Sequence, residues 1–504
     1  MEAPPVIEVA LDDEAATRRL GEDLAMAVRP GDVLALRGDL GAGKSTLARA
    51  LIRALADDAA LEVPSPTFTL VQSYDTRFPI HHFDLYRLGC EDELDELGFE
   101  EAIADGVALV EWPERAGDRL PATAISVELV PEGEGRRARI SGSGEAMARI
   151  GRSRAMRVFL ETAGLGDAQR RHLTGDASAR SYETVWLEGE AARILMNSPP
   201  LAMGPPVRDG RPYAEIAHTS KTVAAFVAID RALREAGICA PEIYAQDLDK
   251  GFLLIEHLGS AGVLDADRNP IRERYVAAAE LLADLHGRQW PARIEAAPGV
   301  IHEVPPFDRD AMLIEVDLLV DWYVPAVTGK PADEALRARY RREWNAALDR
   351  IEGFEPTLMQ RDYHSPNLIW RAERSGHDRL GVIDFQDALI GPTAYDLASL
   401  AMDARATVPP DVEQATVDAY LARRYAAGPF DEAGFLEAYA LMAAQRNSKV
   451  LGIFVRLHRR DGKPGYLKHL PRIRDYLRRA LAHPALACLR AFYEQQGFLE
   501  EREL

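Results

Sequence analysis

The chain has 504 residues, of which 47% are hydrophobic and 28% are charged. This length predicts about three folding units, and the composition excludes disordered, collagen-like and fibrous proteins. The 60 Lys and Arg residues stand against 80 Asp and Glu residues, which gives a formal net charge of −20. This charge excludes a protein held on nucleic acid or anionic lipid by bulk electrostatics, so any contact with RNA must be local or indirect.

The sequence shows none of the patterns of secretion, membrane insertion or thiol chemistry. Cys90, Cys239 and Cys488 lie far apart, and no CxxC pair is present to hold zinc or a redox disulfide. The first residues include acids and prolines where a signal peptide needs a basic and then an apolar stretch. No run of about 18 apolar residues occurs. We therefore expect a cytoplasmic protein without a membrane span.

Periodicity divides the chain into parts of different character. Over residues 1–140, short apolar runs alternate with helical patterns, which predicts an α/β unit. The predicted strands are 33–36, 70–74, 82–85 and 107–110. Small residues over 141–153 are typical of a linker. Further predicted strands are 181–187, 192–196 and 252–256, and long helical segments follow from about Arg272. This order predicts a small β-rich lobe before a larger helical lobe.

A glycine-rich loop follows the first predicted strand. Residues 38–45 read GDLGAGKS, the pattern GxxxxGK[ST], and a helix with an apolar stripe at 47, 51 and 55 follows. The glycines let backbone amides turn onto phosphate oxygens, and the helix N-terminus adds partial positive charge. We expect Lys44 to reach the β- and γ-phosphates and Ser45 to ligate magnesium. The predicted nucleotide-binding residues are Gly38, Gly41, Ala42, Gly43, Lys44, Ser45 and Thr46.

Two acids at strand ends are candidates to hold the metal ion beside this loop. Asp84 ends one apolar stretch and Glu111 ends another. Either can be the main metal partner, and the sequence does not choose between them. Thr67 lies in the loop SPTF, where its hydroxyl can sense a γ-phosphate.

Four motifs between about Glu8 and Ile140 carry a family resemblance. They are GDLGAGKST, SPTFTLVQSYD, HHFDLYRL and VEWPER, in that order. Together they resemble the TsaE type, the small ATPase subunit of the bacterial complex that makes N6-threonylcarbamoyladenosine in tRNA. The resemblance implies an ATP and Mg²⁺ site served by Lys44, Ser45, Asp84 and a catalytic Glu111, with Thr67 on a switch-like loop and Trp112 beside it. It also implies protein partners, the tRNA threonylcarbamoyltransferase subunits, which would contact most of the tRNA.

A second phosphotransfer pattern lies in the later part of the chain. Asp362 stands five residues before Asn367, and an apolar strand then ends in Asp384. This is the spacing of a kinase catalytic loop and its metal-binding Asp. The pattern predicts that Asp362 accepts the proton of a substrate hydroxyl. Asn367 and Asp384 are predicted to hold magnesium between the β- and γ-phosphates of ATP.

The remaining parts of a kinase can be sought upstream. The small residues of 173–182 suit a loop over phosphates, with Ser178 and Arg180 as predicted nucleotide contacts. The strand that ends at Glu256 is predicted to lead into a hinge that pairs with adenine. Strand 191–197 has no Lys where a conventional kinase places one. We therefore expect phosphate neutralisation to rest on magnesium and Arg180.

A second resemblance covers about Arg154 to His483. Its motifs are GDASARSY, the Lys-less ILMN, LIEHLG, QRDYHSPNL, IDFQDALIGPTAYDLASL and QRNSK. They resemble the aminoglycoside phosphotransferase-like superfamily and, within it, the AmgK type, anomeric kinases of N-acetylmuramate and N-acetylglucosamine. The resemblance implies ATP-dependent phosphorylation of an amino sugar in cell-wall recycling. The basic stretches 456–463 and 472–479 have three open interpretations: solvated helix faces, an RNA-binding arm, or cations that meet an acidic substrate.

The sequence thus predicts a bifunctional chain. Its fold class is an α/β P-loop NTPase domain followed by an α+β bilobal protein-kinase-like domain of the aminoglycoside phosphotransferase type. The predicted boundaries are 1–140 for the ATPase domain, 141–154 for a linker, 155–258 for the kinase N-terminal lobe and 259–504 for its C-terminal lobe. Two alternatives stay open: the kinase acts on another small alcohol, aminoglycoside or choline-like, and the P-loop half is a nucleotide-gated binding module.

Overall fold

The computed structural model describes residues 6–173 and 180–502. The chain forms two compact units. The first contains the chain up to Ser198 together with Tyr244–Glu256, and the second contains Pro199–Ile243 and His257–Leu504.

The first unit contains a seven-stranded sheet. Its strands are β1 (Val6–Leu11), β2 (Val33–Arg37), β3 (Val71–Tyr74), β4 (Ile80–Asp84), β5 (Val107–Glu111), β6 (Ile125–Glu132) and β7 (Gly135–Ser141). They lie in the order β1-β7-β6-β2-β5-β4-β3. The central strands β6, β2, β5 and β4 are parallel, and the others pair antiparallel. The apolar runs of β2 and β5 are buried almost throughout, as parallel strands covered on both faces require.

Helices accompany this sheet. They are α1 (Glu14–Ala27), α2 (Lys44–Ala56), α3 (Glu93–Glu96), α4 (Phe99–Asp105) and α5 (Gly144–Thr162). The apolar stripe predicted for the helix after the glycine-rich loop is confirmed, because Leu47, Leu51 and Leu55 are buried along α2. The four predicted strands of this part are likewise confirmed as β2, β3, β4 and β5, with ends that differ by at most two residues.

The segment 141–154, predicted as a linker, belongs largely to a strand end and a helix. Strand β7 extends to Ser141, and α5 begins at Gly144 and continues to Thr162. The Ser143 hydroxyl accepts a hydrogen bond from the Ala146 amide at 3.4 Å, so a small residue that suggested flexibility is a helix cap. Met147 and Ile150 are buried against the core of the seven-stranded sheet, which stabilises the helix.

A five-stranded antiparallel sheet completes the first unit. Its strands are β8 (Gln169–Leu173), β9 (Ser181–Trp186), β10 (Arg193–Asn197), β13 (Ile243–Asp247) and β14 (Phe252–Glu256), in the order β13-β14-β10-β9-β8. The predicted strands 181–187, 192–196 and 252–256 are confirmed. Helix α5 covers one face of this sheet, where Met156, Phe159 and Leu160 pack with Phe252.

A buried ionic cluster joins the two sheets within the first unit. Asp23 of α1 accepts hydrogen bonds from Arg157 of α5 at 3.0 Å and from Arg170 of β8 at 2.6 Å. Arg170 also makes a two-bond contact with Glu183 of β9, at 2.6 and 2.9 Å. Burial works against the charge of Arg170, but Glu183 and Asp23 outweigh it and raise the pKa of Arg170. These side chains therefore hold α1, α5 and the five-stranded sheet together.

The second unit is mostly helical. Its helices are α6 (Tyr213–Ile216), α7 (Ala224–Glu235), α8 (Arg272–His286), α9 (Arg309–Leu318), α10 (Val324–Thr328), α11 (Glu334–Leu348), α12 (Ala394–Ala401), α13 (Pro410–Ala427), α14 (Glu432–Arg459), α15 (Leu470–Leu481) and α16 (Ala487–Gln496). Its two-stranded sheets are β11 (Pro206–Arg208) with β12 (Arg211–Pro212), β15 (Arg293–Ala297) with β16 (Val300–Glu303), β17 (Pro356–Met359) with β20 (Leu389–Pro392), and β18 (Leu368–Trp370) with β19 (Leu380–Val382). Helix α14 is buried over most of its length and forms the centre of this unit.

The predicted kinase N-terminal lobe, 155–258, is divided between the two units. Its strands pack in the first unit, whereas Pro199–Ile243 packs in the second. The reason lies in α7, which packs on the β15–β16 hairpin, and in Phe226, whose ring stacks on Phe385 at 4.8 Å.

Candidate active sites

The first site begins with the glycine-rich loop between β2 and α2. Gly38, Gly41 and Gly43 have positive φ angles of 134°, 80° and 104°. A Cβ atom at Gly38 would lie 2.7 Å from the backbone oxygen of Leu129, so both the backbone angle and the available space require glycine there. The loop leads directly into the N-terminus of α2, the arrangement that suits a bound phosphate.

Lys44 is buried at the start of α2, with 5% of its surface exposed. Its Nζ donates hydrogen bonds to the backbone oxygens of Gly38 at 2.6 Å and Asp39 at 3.0 Å. The same ammonium lies 3.9 Å from the ring centre of Trp112. Burial lowers the pKa of Lys44, and the nearby carboxylates, Glu111 first, oppose this shift. The lysine is thus fixed at the glycine-rich loop, with Trp112 packed beside it.

Glu111 and Asp84 lie side by side because β4 and β5 are parallel neighbours that pair these two residues. Glu111 accepts a hydrogen bond from the Ser45 hydroxyl at 2.9 Å, and its other carboxylate oxygen lies 2.9 Å from His82 Nε2. Asp84 accepts hydrogen bonds from the hydroxyl of Thr67 at 2.9 Å and from the Tyr86 amide at 3.1 Å. The structure therefore brings both acids to the end of the glycine-rich loop.

A cavity of about 440 Å³ connects these groups. Predicted residues that line it are Gly41, Gly43, Lys44, Ser45, Thr46, Thr67, Asp84, Glu111 and Trp112. Gly38 and Ala42 lie behind this lining and shape the loop, where Ala42 is 6% exposed and its amide donates to the Asp39 oxygen at 3.1 Å. The cavity is large enough for a small-molecule ligand.

Six residues that line this cavity were not predicted as site residues, namely Glu14, Thr17, Leu40, Ser65, Tyr86 and Arg136. Ser65 donates a hydrogen bond to Asp84 at 2.9 Å. Arg136 comes from β7, far along the chain, and donates to the backbone oxygen of Gly41 at 3.2 Å. The sequence marks Arg136 only as part of a charged stretch. Its closeness to the glycine-rich loop depends on the order of the strands in the sheet.

The second site lies in the second unit, around the loop that follows β17. Asn367 Nδ2 donates to the backbone oxygen of Asp362 at 2.8 Å and lies 3.5 Å from Asp384 Oδ2. Asp384 follows β19 with a positive φ of 62° and accepts a hydrogen bond from Gln386 at 2.8 Å. The three predicted residues Asp362, Asn367 and Asp384 are therefore brought together.

Basic side chains surround the Asp362 carboxylate. Its Oδ1 lies 3.5 Å from Arg446 Nη2 and 4.0 Å from His364 Nε2. Burial opposes the charge of Asp362, but Arg446, His364 and Lys449 outweigh burial and lower the pKa of this carboxyl well below its usual value. Because its side chain is still 39% exposed, Asp362 is both ionised and open to a substrate.

Buried carboxylates that were not predicted as site residues hold the backbone of this loop. Asp396 of α12 accepts from the amides of Gln360 at 2.6 Å and Arg361 at 2.9 Å. Asp403 accepts from the Ser365 amide at 2.9 Å. The motif TAYDLASL contains Asp396, but only the fold shows that it supports the loop.

Glu315 of α9 connects the loop with α14. It accepts hydrogen bonds from Arg361 at 2.5 Å, from Lys449 at 2.6 Å and from Gln445 at 2.9 Å. Burial opposes ionisation of Glu315, but Lys449 and Arg361 outweigh it and lower its pKa to about 2. The QRNSK segment thereby supplies Gln445, Arg446 and Lys449 to the surroundings of Asp362.

The predicted nucleotide contacts of the kinase belong to the first unit. Arg180 directly precedes β9, and Glu256 ends β14. Ser178 lies outside the described residues. Arg193, the nearest cation to the expected Lys position, lies 3.7 Å from Glu190 and 5.0 Å from the Tyr244 ring, contacts typical of a partly exposed strand end.

Two kinds of phosphotransfer site thus occur in one chain: a P-loop site with two carboxylates and a kinase-type loop with the Asp, Asn, Asp set. These features define a P-loop nucleotide-binding domain followed by a kinase-like phosphotransferase. Residues 11–139 match the sequence profile described as Threonylcarbamoyl adenosine biosynthesis protein TsaE. Residues 170–433 match that of the Phosphotransferase enzyme family, APH. The chain belongs to this phosphotransferase family and has a TsaE domain ahead of it.

Relatives match each part. An N-acetylmuramate/N-acetylglucosamine kinase of Caulobacter vibrioides is 36% identical over 70% of this chain and 98% of its own length. A kinase of the same name from Pseudomonas aeruginosa is 33% identical over 62% of this chain and 84% of its own length. A tRNA threonylcarbamoyladenosine biosynthesis protein TsaE of Rickettsia felis is 42% identical over 24% of this chain and 70% of its own length. The predicted fusion and its fold class are confirmed.

A helix that spans a membrane must be both long and apolar. Over 6–173 and 180–502, no helix is both long and apolar enough to cross a bilayer.

Proposed function

We propose that the chain performs two ATP-dependent reactions at two separate sites. The first is ATP hydrolysis in support of N6-threonylcarbamoyladenosine formation in tRNA. The second is phosphorylation of the anomeric hydroxyl of N-acetylmuramate or N-acetylglucosamine. The observation that carries the proposal is the presence of two distinct phosphotransfer residue sets, each in a part of the chain with relatives of the corresponding name.

At the first site, the glycine-rich loop and Lys44 would bind the phosphates of ATP. Ser45, Asp84 and Glu111 offer oxygen donors of the kind that Mg²⁺ prefers, and the 2.9 Å contact of Ser45 with Glu111 places two of them together. Bound Mg²⁺ would neutralise phosphate charge. Glu111 orients the attacking water, and its contact with His82 fixes its carboxylate. Thr67, bonded to Asp84, is placed to respond to a γ-phosphate.

At the second site, Asp362 would accept the proton of the sugar hydroxyl as its oxygen attacks the γ-phosphorus. The bond between that phosphorus and the β,γ-bridging oxygen breaks, and ADP leaves with the electron pair. Asn367 and Asp384 present an amide oxygen and a carboxylate to Mg²⁺, which when bound would neutralise the β- and γ-phosphates. We assign Arg180, Ser178 and Glu256 to nucleotide binding.

Partners follow from the two functions. The TsaE domain would act with the tRNA threonylcarbamoyltransferase subunits. A net charge of −20 favours contact with tRNA through these proteins instead of by the chain alone. We place the boundary between the ATPase part and the kinase part of the chain near Ser141, where β7 ends.

A phosphoryl-acceptor screen on the full chain tests the kinase assignment. Purified protein and ATP are incubated with N-acetylmuramate, N-acetylglucosamine, an aminoglycoside and choline, and products are separated by mass and by ³¹P NMR. The proposal expects sugar 1-phosphates. Turnover of an aminoglycoside or choline with neither amino sugar phosphorylated would overturn it.

The ATPase assignment needs its own test, because a nucleotide-gated binding module would contain the same loop. Lys44→Ala in a cell that depends on this chain should abolish threonylcarbamoylation of tRNA. Modification that continues with the variant would favour the binding-module alternative.

A further inference from the structure

The sequence left three interpretations open for the basic stretches 456–463 and 472–479. In the second unit, the contacts of the side chains divide the arginines of these stretches into two groups. Six of the arginines have partners there. They are Arg459 with the Ala326 oxygen, Arg460 with Asp461, Arg472 with Thr407 and the Ala404 oxygen, Arg474 with Glu501, Arg478 with the Leu499 oxygen, and Arg479 with Glu413. These cations therefore stabilise the fold.

Arg456 differs from this group. Over residues 6–173 and 180–502 it has no carboxylate within ion-pair distance and donates no hydrogen bond, and its Nε is buried without a partner. Burial lowers the pKa of this guanidinium, which Tyr213 only partly offsets. An arginine stays charged in proteins, so the fold keeps a partly desolvated positive charge on which Asp461 acts only from beyond ion-pair distance. Such a charge is costly unless a ligand pairs with it.

The position of Arg456 on α14 relates it to the kinase loop. At 100° per residue, Arg446, Lys449 and Arg456 fall on one face of the helix. Arg446 lies 3.5 Å from Asp362, and Lys449 donates to Glu315 beside it. Arg456 follows Lys449 by about 10 Å of helix rise. A substrate that presents its hydroxyl to Asp362 can therefore direct a second group along this face.

Tyr213 of α6 links Arg456 to the same cluster. The guanidinium of Arg456 lies 5.5 Å from the centre of the Tyr213 ring. Burial raises the pKa of Tyr213, and the charges of Glu315, Lys449 and Arg361 also act on this phenol. The ring thus supports the guanidinium of Arg456 from one side.

We propose that Arg456, supported by Tyr213, receives the carboxylate of an acidic sugar acceptor and so sets the preference of the kinase for a carboxylated amino sugar over a neutral one. A guanidinium suits this role because two of its five N–H groups can match a carboxylate in a planar, two-bond contact. This inference rests on the proposed amino-sugar kinase function. It assigns one of the seven arginines of these stretches to the substrate and the six others to the fold.

Steady-state kinetics with two sugars test the inference on the full chain. Arg456→Met is compared with the unsubstituted chain and with the matched control Arg460→Gln, an exposed neighbour paired with Asp461. For Arg456→Met, the ratio of kcat/KM for N-acetylmuramate to that for N-acetylglucosamine should fall by about 10- to 100-fold, mainly through KM. Arg460→Gln should leave this ratio within about twofold, and Arg456→Lys should recover part of it.

The possible outcomes are distinct. Equal losses for both sugars in Arg456→Met would show that Arg456 only supports the fold, and no loss for either would place the carboxylate elsewhere; each result overturns the inference. If the unsubstituted chain phosphorylates neither sugar, the proposed function itself fails, and the inference with it. Turnover of N-acetylglucosamine by Arg456→Met also serves as the check on folding.

Discussion

At the scale of single residues, the two proposed catalytic carboxylates work in different surroundings. Glu111 is 2% exposed and is fixed between Ser45 and His82. Asp362 is partly exposed, and its charge is maintained by cations. The first arrangement suits a group that orients water in a closed site, and the second suits a group that must meet a hydroxyl on an incoming substrate.

Replacement of the proposed base tests the kinase loop. Asp362→Asn keeps the shape of the side chain but removes the proton acceptor, so kcat for sugar phosphorylation should fall by about 100- to 10,000-fold. Nucleotide affinity should be largely kept, which a binding titration with an ATP analogue measures. The matched control is Asp378→Asn at an exposed position of the same unit. Retained turnover in Asp362→Asn would remove Asp362 as the base.

The pH dependence of kcat tests the role of Arg446. A lowered pKa keeps Asp362 ionised, and therefore competent, down to acidic pH. Arg446→Met removes the largest favourable charge, so the pKa of Asp362 should rise and the acid limb of kcat should move to higher pH by about one unit or more. Arg446→Lys keeps a positive charge and should restore the profile in part. An unchanged acid limb in Arg446→Met would contradict this account.

At the scale of secondary-structure elements, the small residues of 141–154 suggested a flexible connection. The structure instead has helix α5 there, and a buried ionic cluster joins this helix to α1 and β8. Asp23, Arg157 and Arg170 are each at most 3% exposed. Buried charges of this kind depend on one another, because the loss of one partner leaves the others desolvated and unpaired. Asp23 is the carboxylate that α5 and β8 share, and Glu22 of α1 is a second partner of Arg157, at 3.2 Å.

Asp23→Asn tests this dependence. The change keeps the size of the side chain but leaves Arg157 and Arg170 without their shared negative charge, so the free energy of unfolding of the full chain should fall by about 3 to 5 kcal/mol. Chemical denaturation followed by circular dichroism measures it, and Asp12→Asn, at an exposed position, is the control. A loss below about 1 kcal/mol would mean that apolar packing of α5 holds the two sheets together.

Elements with a strong local pattern were predictable from the sequence, and contacts between distant elements were not. The apolar strand, glycine-rich loop and striped helix around Lys44 have local patterns, and so has the spacing of Asp362 and Asn367. The α5 helix was missed because Gly and Ser at its start also occur in linkers. Its apolar face can be recognised as buried only once the sheet that it packs on is known. Arg136, Asp396 and Asp23 act on residues far away in the sequence, so only the fold reveals them.

At the scale of the whole molecule, two phosphotransfer sites share one chain, and each has its own phosphate and proton chemistry. The P-loop cavity lies within the first unit, and the Asp362 loop lies within the second. The TsaE sheet and the five-stranded sheet pack in one compact unit. We expect each activity to depend on its own set of residues.

The most direct test of two sites in one chain is a ³¹P NMR time course with ATP and N-acetylmuramate, run on the full chain, Lys44→Ala and Asp362→Asn. The account predicts a sugar phosphate signal for the full chain and for Lys44→Ala, and formation at least about 100-fold slower for Asp362→Asn. It predicts that slow release of inorganic phosphate without sugar persists in Asp362→Asn and is lost in Lys44→Ala. Formation of sugar phosphate by Asp362→Asn at a rate near that of the full chain, or its loss in Lys44→Ala, would contradict the assignment of two separate sites.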